Sequence, residues 1–241
     1  MAPGNDEPLR AAGIDPAAGF RWRHRLPRER PVDRLDALVD AARGKRVVHV
    51  GFVDELLERK RAEGVWLHER LAEAATSLVG LDSSEEGVAR ARELGHEAHA
   101  VDAQSPDAIR ALGLPPADVV IAGEVVEHLD APGPFLRALR ELVGPDGLLV
   151  LTTPNAYRLL NVLAPLTGSE LVHPDHTAWH SPRTLRTLLE RSGWRVERLA
   201  YYRTPRRRGA GLGNLLRRAA AAASRVRPSW SDGLIAWARP A

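Results

Sequence analysis

The chain has 241 residues, of which 44% are apolar and 27% are charged, as is typical of a globular domain with a sizeable core. No apolar stretch approaches the roughly 20 residues that a membrane-spanning helix needs. The absence of cysteine excludes disulfides and thiolate chemistry. The first residues lack the basic and apolar regions of a secretory signal, so we expect a cytoplasmic protein.

The net charge of +3 is small, but arginines are concentrated near both ends of the chain. Residues 21–30 hold five arginines and one glutamate, and residues 203–228 hold eight arginines and no acid. Such ends indicate contact with an anion, for example a membrane surface, a nucleic acid or a phosphorylated substrate. Solvated arginines would give the same pattern, and both interpretations stay open.

Along the chain, a poorly ordered basic segment is expected at residues 1–30, followed by one domain at residues 31–241. Helical and strand patterns alternate within that domain. In chain order they predict a helix at 30–44, a strand at 45–51, helices at 54–75 with a break at Gly64, a strand at 76–82, a helix at 83–95, a strand at 96–103, a helix at 105–113, a strand at 117–123, a helix at 131–144, a strand at 147–156, a helix at 181–193, a strand at 194–203, a helix at 211–226 and a strand at 232–240. This alternation predicts an α/β fold, a doubly wound and mostly parallel seven-stranded sheet with helices on both faces.

Polar or glycine residues follow the predicted strands where an open parallel sheet binds its ligands, beyond the carboxyl ends. Gly51 follows the first strand, Asp82 ends the second, and Asp102 lies at the end of the third. The fourth strand runs into "GEVVEH" at 123–128, and the fifth ends in "TPNA" at 153–156. The ordered series predicts a binding site at this edge.

This series resembles the class I S-adenosylmethionine-dependent methyltransferases. The resemblance rests on "VVHVGFVDE", "LVGLDSSEEGVARARELG", "AVDAQ", "DVVIAGEVVEHLD" and "HTAWHSPRTLRTLLERSGW", and it covers about 45–192. It implies a Rossmann-like methyltransferase fold, S-adenosylmethionine as cofactor and an Arg-rich helical insertion at about 204–228. It also implies cofactor-binding roles for Gly51, Asp82, Asp102, Ala103, Gly123 and Glu124.

The physical chemistry of these residues agrees with those roles. A carboxylate such as Asp82 can accept hydrogen bonds from two ribose hydroxyls at once, although it could also only cap the next helix. Gly51 lets backbone approach a ligand closely. However, "FVDE" follows Gly51 where the family has further glycines. Either the cofactor sits slightly differently, or the protein is a catalytically silent binding module.

The "EVVEH" segment carries three titratable residues in one turn. If a helix began near Glu124, then Glu124, Glu127 and His128 would share one face. Three interpretations stay open for this group. It could pack and cap, it could act as a general base near neutral pH, or it could bind a divalent metal.

The metal interpretation draws on a similarity to two metal-dependent branches of the superfamily, the ubiquinone-pathway O-methyltransferases and the small-RNA 3′-end 2′-O-methyltransferases. Both combine a Glu-x-x-Glu-His turn with a later histidine, and here "HPDHTAWH" offers His173, His176 and His180. The order "TPN", then "DH", then tryptophan favours His176. The expected ligands of Mg²⁺, Mn²⁺, Fe²⁺ or Zn²⁺ are Glu124, Glu127, His128 and His176, and the expected catalytic residues are Glu127, His128 and His176.

The sequence therefore predicts methyl transfer to an oxygen of a small-molecule or a lipid- or glycan-linked acceptor. The alternatives are the silent module and a metal-dependent RNA 2′-O-methyltransferase. The low aromatic content of 5% and the lack of a basic stripe in the middle of the chain disfavour nucleic acid. The Arg-rich insertion, with Arg206–Arg208, suggests peripheral contact with an anionic membrane surface or a phosphorylated partner.

Overall fold

The computed structural model describes residues 24–204 and 212–241, with side chains in the last helix described from Ala219 onward. The predicted basic segment up to residue 23 and Arg206–Arg208 lie outside the described residues. In the part of the chain that is described, no helix is both long and apolar enough to cross a membrane.

The secondary structure follows the predicted alternation closely. The strands are β1 (Val32–Asp33), β2 (Arg46–Val50), β3 (Ser77–Asp82), β4 (Glu97–Ala100), β5 (Ala117–Gly123), β6 (Val143–Pro154), β7 (Trp194–Arg203) and β8 (Gly233–Pro240). The α-helices are α1 (Arg34–Ala42), α2 (Leu57–Ala62), α3 (Leu67–Ala74), α4 (Glu85–Glu93), α5 (Pro106–Ala111), α6 (Pro132–Ala138), α7 (Leu159–Leu163), α8 (Pro182–Arg191) and α9 (Leu212–Val226). Short 3₁₀ turns lie at Val126–His128, Leu139–Leu142, Ala164–Thr167 and Pro228–Trp230.

The strands form one sheet in the order β1-β7-β8-β6-β5-β2-β3-β4. Every pairing is parallel except those of β8, which is antiparallel to both β6 and β7. The predicted fold class, a mostly parallel α/β sheet of the methyltransferase type, is confirmed. The described residues contain eight strands rather than the predicted seven, because Val32–Asp33 pairs with the end of β7.

The additional strand, β1, lies where the sequence predicted the first turn of α1. The side chain of Asp33 accepts hydrogen bonds from the amides of Leu35 and Asp36, so the helix begins at Arg34 rather than near Pro31. Residues before the cap are then free to extend along β7. Ser181 caps α8 through a reciprocal capping box with Thr184, so this helix begins where the sequence predicts it.

Apolar side chains fill both faces of the sheet. On one face the core includes Phe135, Leu185 and Trp194, which pack against the central strands. On the other face α1 and α3 contribute Leu38 and Leu71. The two-sided burial explains why the inner strands are continuous apolar runs.

The register of the central strands brings their carboxyl ends to one level. Val50 of β2 pairs with Leu81 of β3 and with Ala122 of β5. The next residues along these strands are Gly51, Asp82 and Gly123, so parallel pairing alone places these three positions side by side at one edge of the sheet. This edge is where the candidate site lies.

A cluster of buried histidines lies beneath that edge. His49 and His68 are 2% and 0% exposed, and their Nδ1 atoms are 3.2 Å apart. Phe52, Trp66 and His96 pack around His68. Burial, with a further contribution from neighbouring positive groups, holds the pKa of His49 well below its usual value and lowers the pKa of His68 to about 3.

We expect this cluster to destabilise the fold in acid. A histidine in an unfolded chain has a pKa near 6.5. Below about pH 6.5, His49 and His68 therefore bind protons in the unfolded state but stay neutral in the folded state. The free energy of unfolding should be unaffected by this pair above that pH. Below it, each histidine should lower this free energy by up to about 1.4 kcal/mol per pH unit.

Urea denaturation across this pH range measures the effect. The variant His68→Phe, which suits the aromatic surroundings, should show a shallower fall in stability than the unchanged protein. The exposed His24→Ala is the matched control and should keep the full slope. An equal slope of the free energy of unfolding against pH in the unchanged protein and in His68→Phe would contradict the prediction. Other titrating groups, such as Glu127, are present in both proteins and therefore do not affect the comparison.

Candidate active site

Gly51 makes the turn at the end of β2, and two features of its surroundings require glycine. Its φ is +68°, a left-handed conformation that side chains disfavour. A Cβ atom placed on it would also lie 2.3 Å from Cγ2 of Val125. The loop after β2 therefore packs directly against the loop after β5.

The residues that replace the further glycines of the family turn into the core. Phe52 is 3% exposed, and its ring lies where a side chain on Gly80 would be, within 2.7 Å of the ideal Cβ position. Val53 occupies the corresponding space over Gly87, at 2.3 Å. Glycines at 80 and 87 thus make room for the bulkier side chains of the loop.

Asp82 joins two of the loops at this edge. Its Oδ2 accepts a hydrogen bond from the amide of Val53 at 2.9 Å, and its Oδ1 accepts one from the amide of Ser84 at 3.0 Å. The cap of α4 is Ser84, whose side chain accepts from Gly87. Asp82 therefore organises the loops without being the helix cap itself, and an ionised carboxylate keeps further acceptor capacity for a ligand.

Asp102 and Ala103 lie just beyond the end of β4. Asp102 is exposed, and its Oδ1 accepts a hydrogen bond from the amide of Gln104 at 2.9 Å. Ala103 is half-buried and packs against the larger core cluster. This arrangement leaves a free carboxylate beside a small apolar surface.

The corner after β5 contains strained backbone. Glu124 has a φ of +62°, the only positive value among the described residues other than glycine, and such a conformation costs on the order of 1 kcal/mol or more. Its amide donates to the carbonyl of Thr152, and its Oε1 accepts from the hydroxyl of Tyr202 at 2.9 Å. These bonds hold the carboxylate of Glu124 at the rim, where its side chain is 33% exposed.

Arg34 and Tyr202 are site residues that the sequence analysis missed. Nε of Arg34 donates to Oγ1 of Thr152 at 3.1 Å and lies 3.9 Å from Oε1 of Glu124. Its guanidinium also lies over the Tyr202 ring and within 2.6 Å of where a Cβ on Gly123 would be. No local pattern in the sequence distinguishes a first-turn arginine that reaches another strand from one that faces solvent.

Glu127 points into the protein rather than out of it. It is 1% exposed, and its Oε2 accepts a hydrogen bond from Oγ1 of Thr153 at 3.0 Å. Its Oε1 is buried without a partner among the described residues. Burial, and then the charge of Glu124, raises the pKa of Glu127 to about 8, so the carboxyl is mainly protonated at neutral pH.

Hydrogen bonds from Thr177 bring the histidines that lie later in the chain next to the "EVVEH" turn. The amide of Thr177 donates to the carbonyl of Glu127 at 2.8 Å, and its hydroxyl reaches the carbonyls of Glu127 and Leu129. His176 thereby stands against His128, with ring centroids 4.6 Å apart and nearly perpendicular. Burial, and then the charges of His128 and His173, lowers the pKa of His176.

Three histidines at the "EVVEH" turn and in the segment packed against it could together hold a metal ion. The ring nitrogens offered by His128, His173 and His176 all lie within 4.8 Å of one another. A second such group of described residues joins Glu55, His173 and Asp175. Three neighbouring imidazoles are donors that suit Zn²⁺ or another transition metal.

The expected four-residue ligand set is not assembled in this arrangement. His128 and His176 belong to the three-histidine group, but Glu124 and Glu127 do not. The turn contains only Val126–His128, so Glu124 lies outside it with a left-handed backbone and the three residues do not share one helical face. The expectation of a single face was wrong because the chain leaves β5 through a strained residue rather than directly into a helix.

Two other polar residues from the sequence analysis have structural roles. His180 is 6% exposed and pairs through its backbone with Asn155 and Ala156, outside the three-histidine group. The side-chain amide of Asn155 donates to the carbonyls of Ser229 and Ser231. The "TPN" segment therefore ties the end of β6 to the turn before β8.

Comparisons with known proteins agree with this geometry. Residues 22–199 match the model of a family described as a methyltransferase domain. The chain is 36% identical over 105 residues to the ubiquinone biosynthesis O-methyltransferase of Caulobacter sp. (strain K31), a segment covering 42% of this chain and 40% of the relative. It is 34% identical over 89 residues to the mitochondrial ubiquinone biosynthesis O-methyltransferase of Rattus norvegicus, covering 34% of this chain and 26% of the relative. The matched segments thus span less than half the length of these curated relatives.

Solved structures share the fold at low sequence identity. A SAM-dependent methyltransferase from Archaeoglobus fulgidus is 19% identical with a TM-score of 0.53, covering 86% of this chain and 91% of that chain. Magnesium protoporphyrin IX methyltransferase from Synechocystis PCC 6803, with bound S-adenosylhomocysteine, is 18% identical with a TM-score of 0.53, covering 86% and 82%. The family match extends over most of the sheet and its carboxyl edge, and the chain therefore belongs to the methyltransferase domain family of class I S-adenosylmethionine-dependent methyltransferases.

Proposed function

We propose that this protein transfers a methyl group from S-adenosylmethionine to a hydroxyl oxygen of a small-molecule acceptor. The observation that carries the proposal is the common level of Gly51, Asp82 and Gly123 at the carboxyl edge of the sheet. The partial identity to ubiquinone biosynthesis O-methyltransferases supports oxygen, rather than nitrogen, as the methyl acceptor.

In this proposal each part of the cofactor meets a different strand end. Asp82 accepts hydrogen bonds from the ribose hydroxyls, using the lone pairs left free by its two backbone donors. Asp102 and Ala103 receive the adenine, one as hydrogen-bond acceptor and the other as apolar contact. The methionine part lies beside the backbone at Gly51 and Gly123, whose Cβ positions are taken by Val125 and Arg34, and Glu124 offers a negative charge to its ammonium group.

The chemistry is an in-line displacement at the methyl carbon. As the acceptor oxygen forms its bond to that carbon, the bond from carbon to sulfur breaks, and the sulfonium becomes a neutral thioether. The acceptor proton passes to a base, for which we propose His176 with His128 beside it. The lowered pKa of His176 keeps it neutral, and therefore able to accept a proton, at neutral pH.

Glu127 has a positioning role in this mechanism. Its side chain is buried against Thr153, and its carbonyl accepts a hydrogen bond from the amide of Thr177, the residue that follows the proposed base His176. Through these contacts Glu127 fixes the turn that carries His128 relative to His176. A lipid- or glycan-linked acceptor, and peripheral contact with an anionic membrane, remain finer forms of the same proposal.

A divalent metal is the competing proposal for the histidines. Bound by His128, His173 and His176, it would polarise the acceptor oxygen and lower its pKa. The structure argues against the four-residue ligand set expected from the sequence, because Glu127 is 1% exposed and lies outside the group of these imidazoles. We favour proton transfer to histidine, and the chelator experiment below decides between the two proposals.

We expect the variant Asp82→Asn to bind the cofactor about tenfold to a hundredfold more weakly. The reason is that hydrogen bonds to a charged acceptor contribute about 1.5–3 kcal/mol. Isothermal titration calorimetry with S-adenosylhomocysteine measures the affinity. The control Asp146→Asn replaces an exposed carboxylate in the turn of β6 at the opposite end of the sheet and should bind normally.

Two outcomes of this titration would contradict the proposal. Equal affinity in Asp82→Asn and Asp146→Asn would remove Asp82 from the cofactor site. Absence of any binding by the unchanged, folded protein would instead favour the silent binding module. Circular dichroism should accompany each titration, because Asp82 also holds the loop of Val53.

We expect His176→Ala to lower kcat/KM by about 10²- to 10⁴-fold, the usual contribution of a general base, while cofactor affinity is retained. Methyl transfer to 3,4-dihydroxybenzoate, a simple catechol probe, can be followed with labelled S-adenosylmethionine. In the unchanged protein, activity should fall only as the pH drops through the lowered pKa of His176, below 6.5. A variant that keeps full activity and the same pH profile would refute the base.

Treatment with a chelator separates the base from the metal. We expect methyl transfer by the unchanged protein to survive dialysis against EDTA, since the proposed base needs no ion. Loss of activity that Mg²⁺, Mn²⁺, Fe²⁺ or Zn²⁺ restores would instead establish the metal proposal. In that case His173→Ala, which keeps the proposed base His176, should raise the metal concentration needed for activity.

A further inference from the structure

A pocket of about 380 Å³ opens beside the ends of β1 and β7. The described residues that line it are Arg30, Pro31, Arg203 and Arg225. They come from three separate places: the segment before β1, the last residue of β7, and the last turn of α9. Tertiary folding therefore gathers three guanidinium groups around one cavity, which the two basic stretches of the sequence did not by themselves indicate.

The arginines of this pocket have no negative partner among the described residues. Nε of Arg203 is buried and makes no hydrogen bond within the described part of the chain. By contrast, neighbouring arginines outside the pocket are engaged: Arg198 pairs with Glu29 and lies over Trp237, and Arg227 lies over Trp230. Solvation alone does not explain a buried donor without an acceptor, because such groups are normally satisfied.

The acidic residues nearest to the pocket along the chain already have hydrogen-bond or ion-pair partners. The carboxylate of Asp33, which pairs in register with Arg203, accepts the two amides that start α1. Asp232 accepts from the amide of Thr204 and pairs with Arg158. Glu29 is held by Arg198. Within the described part of the chain the positive charge of the pocket is therefore not neutralised, and an external anion can neutralise it.

The geometry of arginine selects the kind of anion. A planar guanidinium presents parallel N–H donors that match two oxygens of a phosphate, which a single compact ammonium does not. The volume falls within the range of about 300–1,000 Å³ that is usual for small-molecule sites, so the cavity has room for more than one phosphate group. A phosphate monoester, diester or pyrophosphate fits both its charge and its size.

The pocket lies at the same edge of the sheet as the proposed reaction centre. β7 runs parallel to β5 through the order β7-β8-β6-β5, so both strands end at that edge. Arg203 directly follows Tyr202, whose hydroxyl binds Glu124, so the side chain of Arg203 leaves β7 on the other face of the sheet. An anion held by Arg203 would therefore lie on the β7 side of the site, away from Asp82 and Asp102 at the ends of β3 and β4.

We propose that Arg30, Arg203 and Arg225 form an anion subsite that binds a phosphate group carried by the methyl acceptor. This inference rests on the proposed function for its link to methyl transfer, since it names the class of acceptor. The binding of the phosphate group itself needs neither the cofactor nor the reaction. The subsite can therefore be tested without them.

Calorimetric titration of the full chain with inorganic pyrophosphate, and then with inorganic phosphate, tests the subsite directly. We expect binding of pyrophosphate that weakens by about tenfold or more in Arg203→Gln and in Arg225→Ala, because each variant removes charged donors. Arg225→Ala changes an exposed helix residue and serves if Arg203→Gln fails to fold. The matched control is Arg195→Ala on the same strand, an exposed arginine whose loss should leave pyrophosphate binding unchanged.

Two results would overturn the subsite. One is no binding of pyrophosphate or phosphate at millimolar concentration by the folded protein. The other is an equal loss of affinity in Arg195→Ala and the pocket variants, which would mean attraction by net charge alone. Because S-adenosylhomocysteine affinity is measured separately, failure of the subsite leaves the proposed function standing, and failure of cofactor binding leaves the subsite testable.

Vesicles distinguish the two sources of such a phosphate. If phosphatidylglycerol vesicles displace pyrophosphate while pure phosphatidylcholine vesicles do not, the acceptor phosphate belongs to a lipid headgroup. If neither vesicle competes but glycerol 1-phosphate does, it belongs to a soluble acceptor. Both outcomes support a phosphate subsite, whereas displacement by neither vesicles nor glycerol 1-phosphate would contradict it.

Discussion

The parallel register of β2 with β3 and β5 is the constraint on which the site depends. Because Val50 pairs with both Leu81 and Ala122, the next residue of each strand reaches the same edge at the same level. A shift of one residue in the pairing of β2 with β3 would turn the side chain of Asp82 to the other face relative to β2. The hydrogen bond that Asp82 accepts from the amide of Val53 depends on this register, whereas the bond that it accepts from Ser84 is local.

The same edge shows how a departure from a family pattern is accommodated by packing. The loop after β2 has bulky residues where the family has further glycines, and Phe52 and Val53 fill the space beside Gly80 and Gly87. The backbone amide of Val53 donates to Asp82. Glycines on β3 and α4 therefore make room for the side chains of this loop.

The residues of the site differ in charge and burial, and their proposed roles differ accordingly. Glu127 is buried and protonated, so it can position the turn but carries little charge at neutral pH. Glu124 has a partly exposed carboxyl group that Arg34 and Tyr202 hold in place. His176, whose pKa is lowered by burial and by the neighbouring histidines, stands at the rim, and the arginine pocket lies at the end of β7. A cationic donor and an anionic acceptor would thus meet surfaces of opposite sign.

The sequence by itself determined the alternation of strands and helices and the order of polar strand ends, because periodicity is a local property of neighbouring residues. It did not determine the short strand at Val32–Asp33, the left-handed Glu124, or the burial of Glu127. Nor did it place the three-histidine group or the arginine pocket, since these depend on contacts between segments far apart in the chain. Only tertiary packing decides which side chain of a polar run faces water, a ligand or the core.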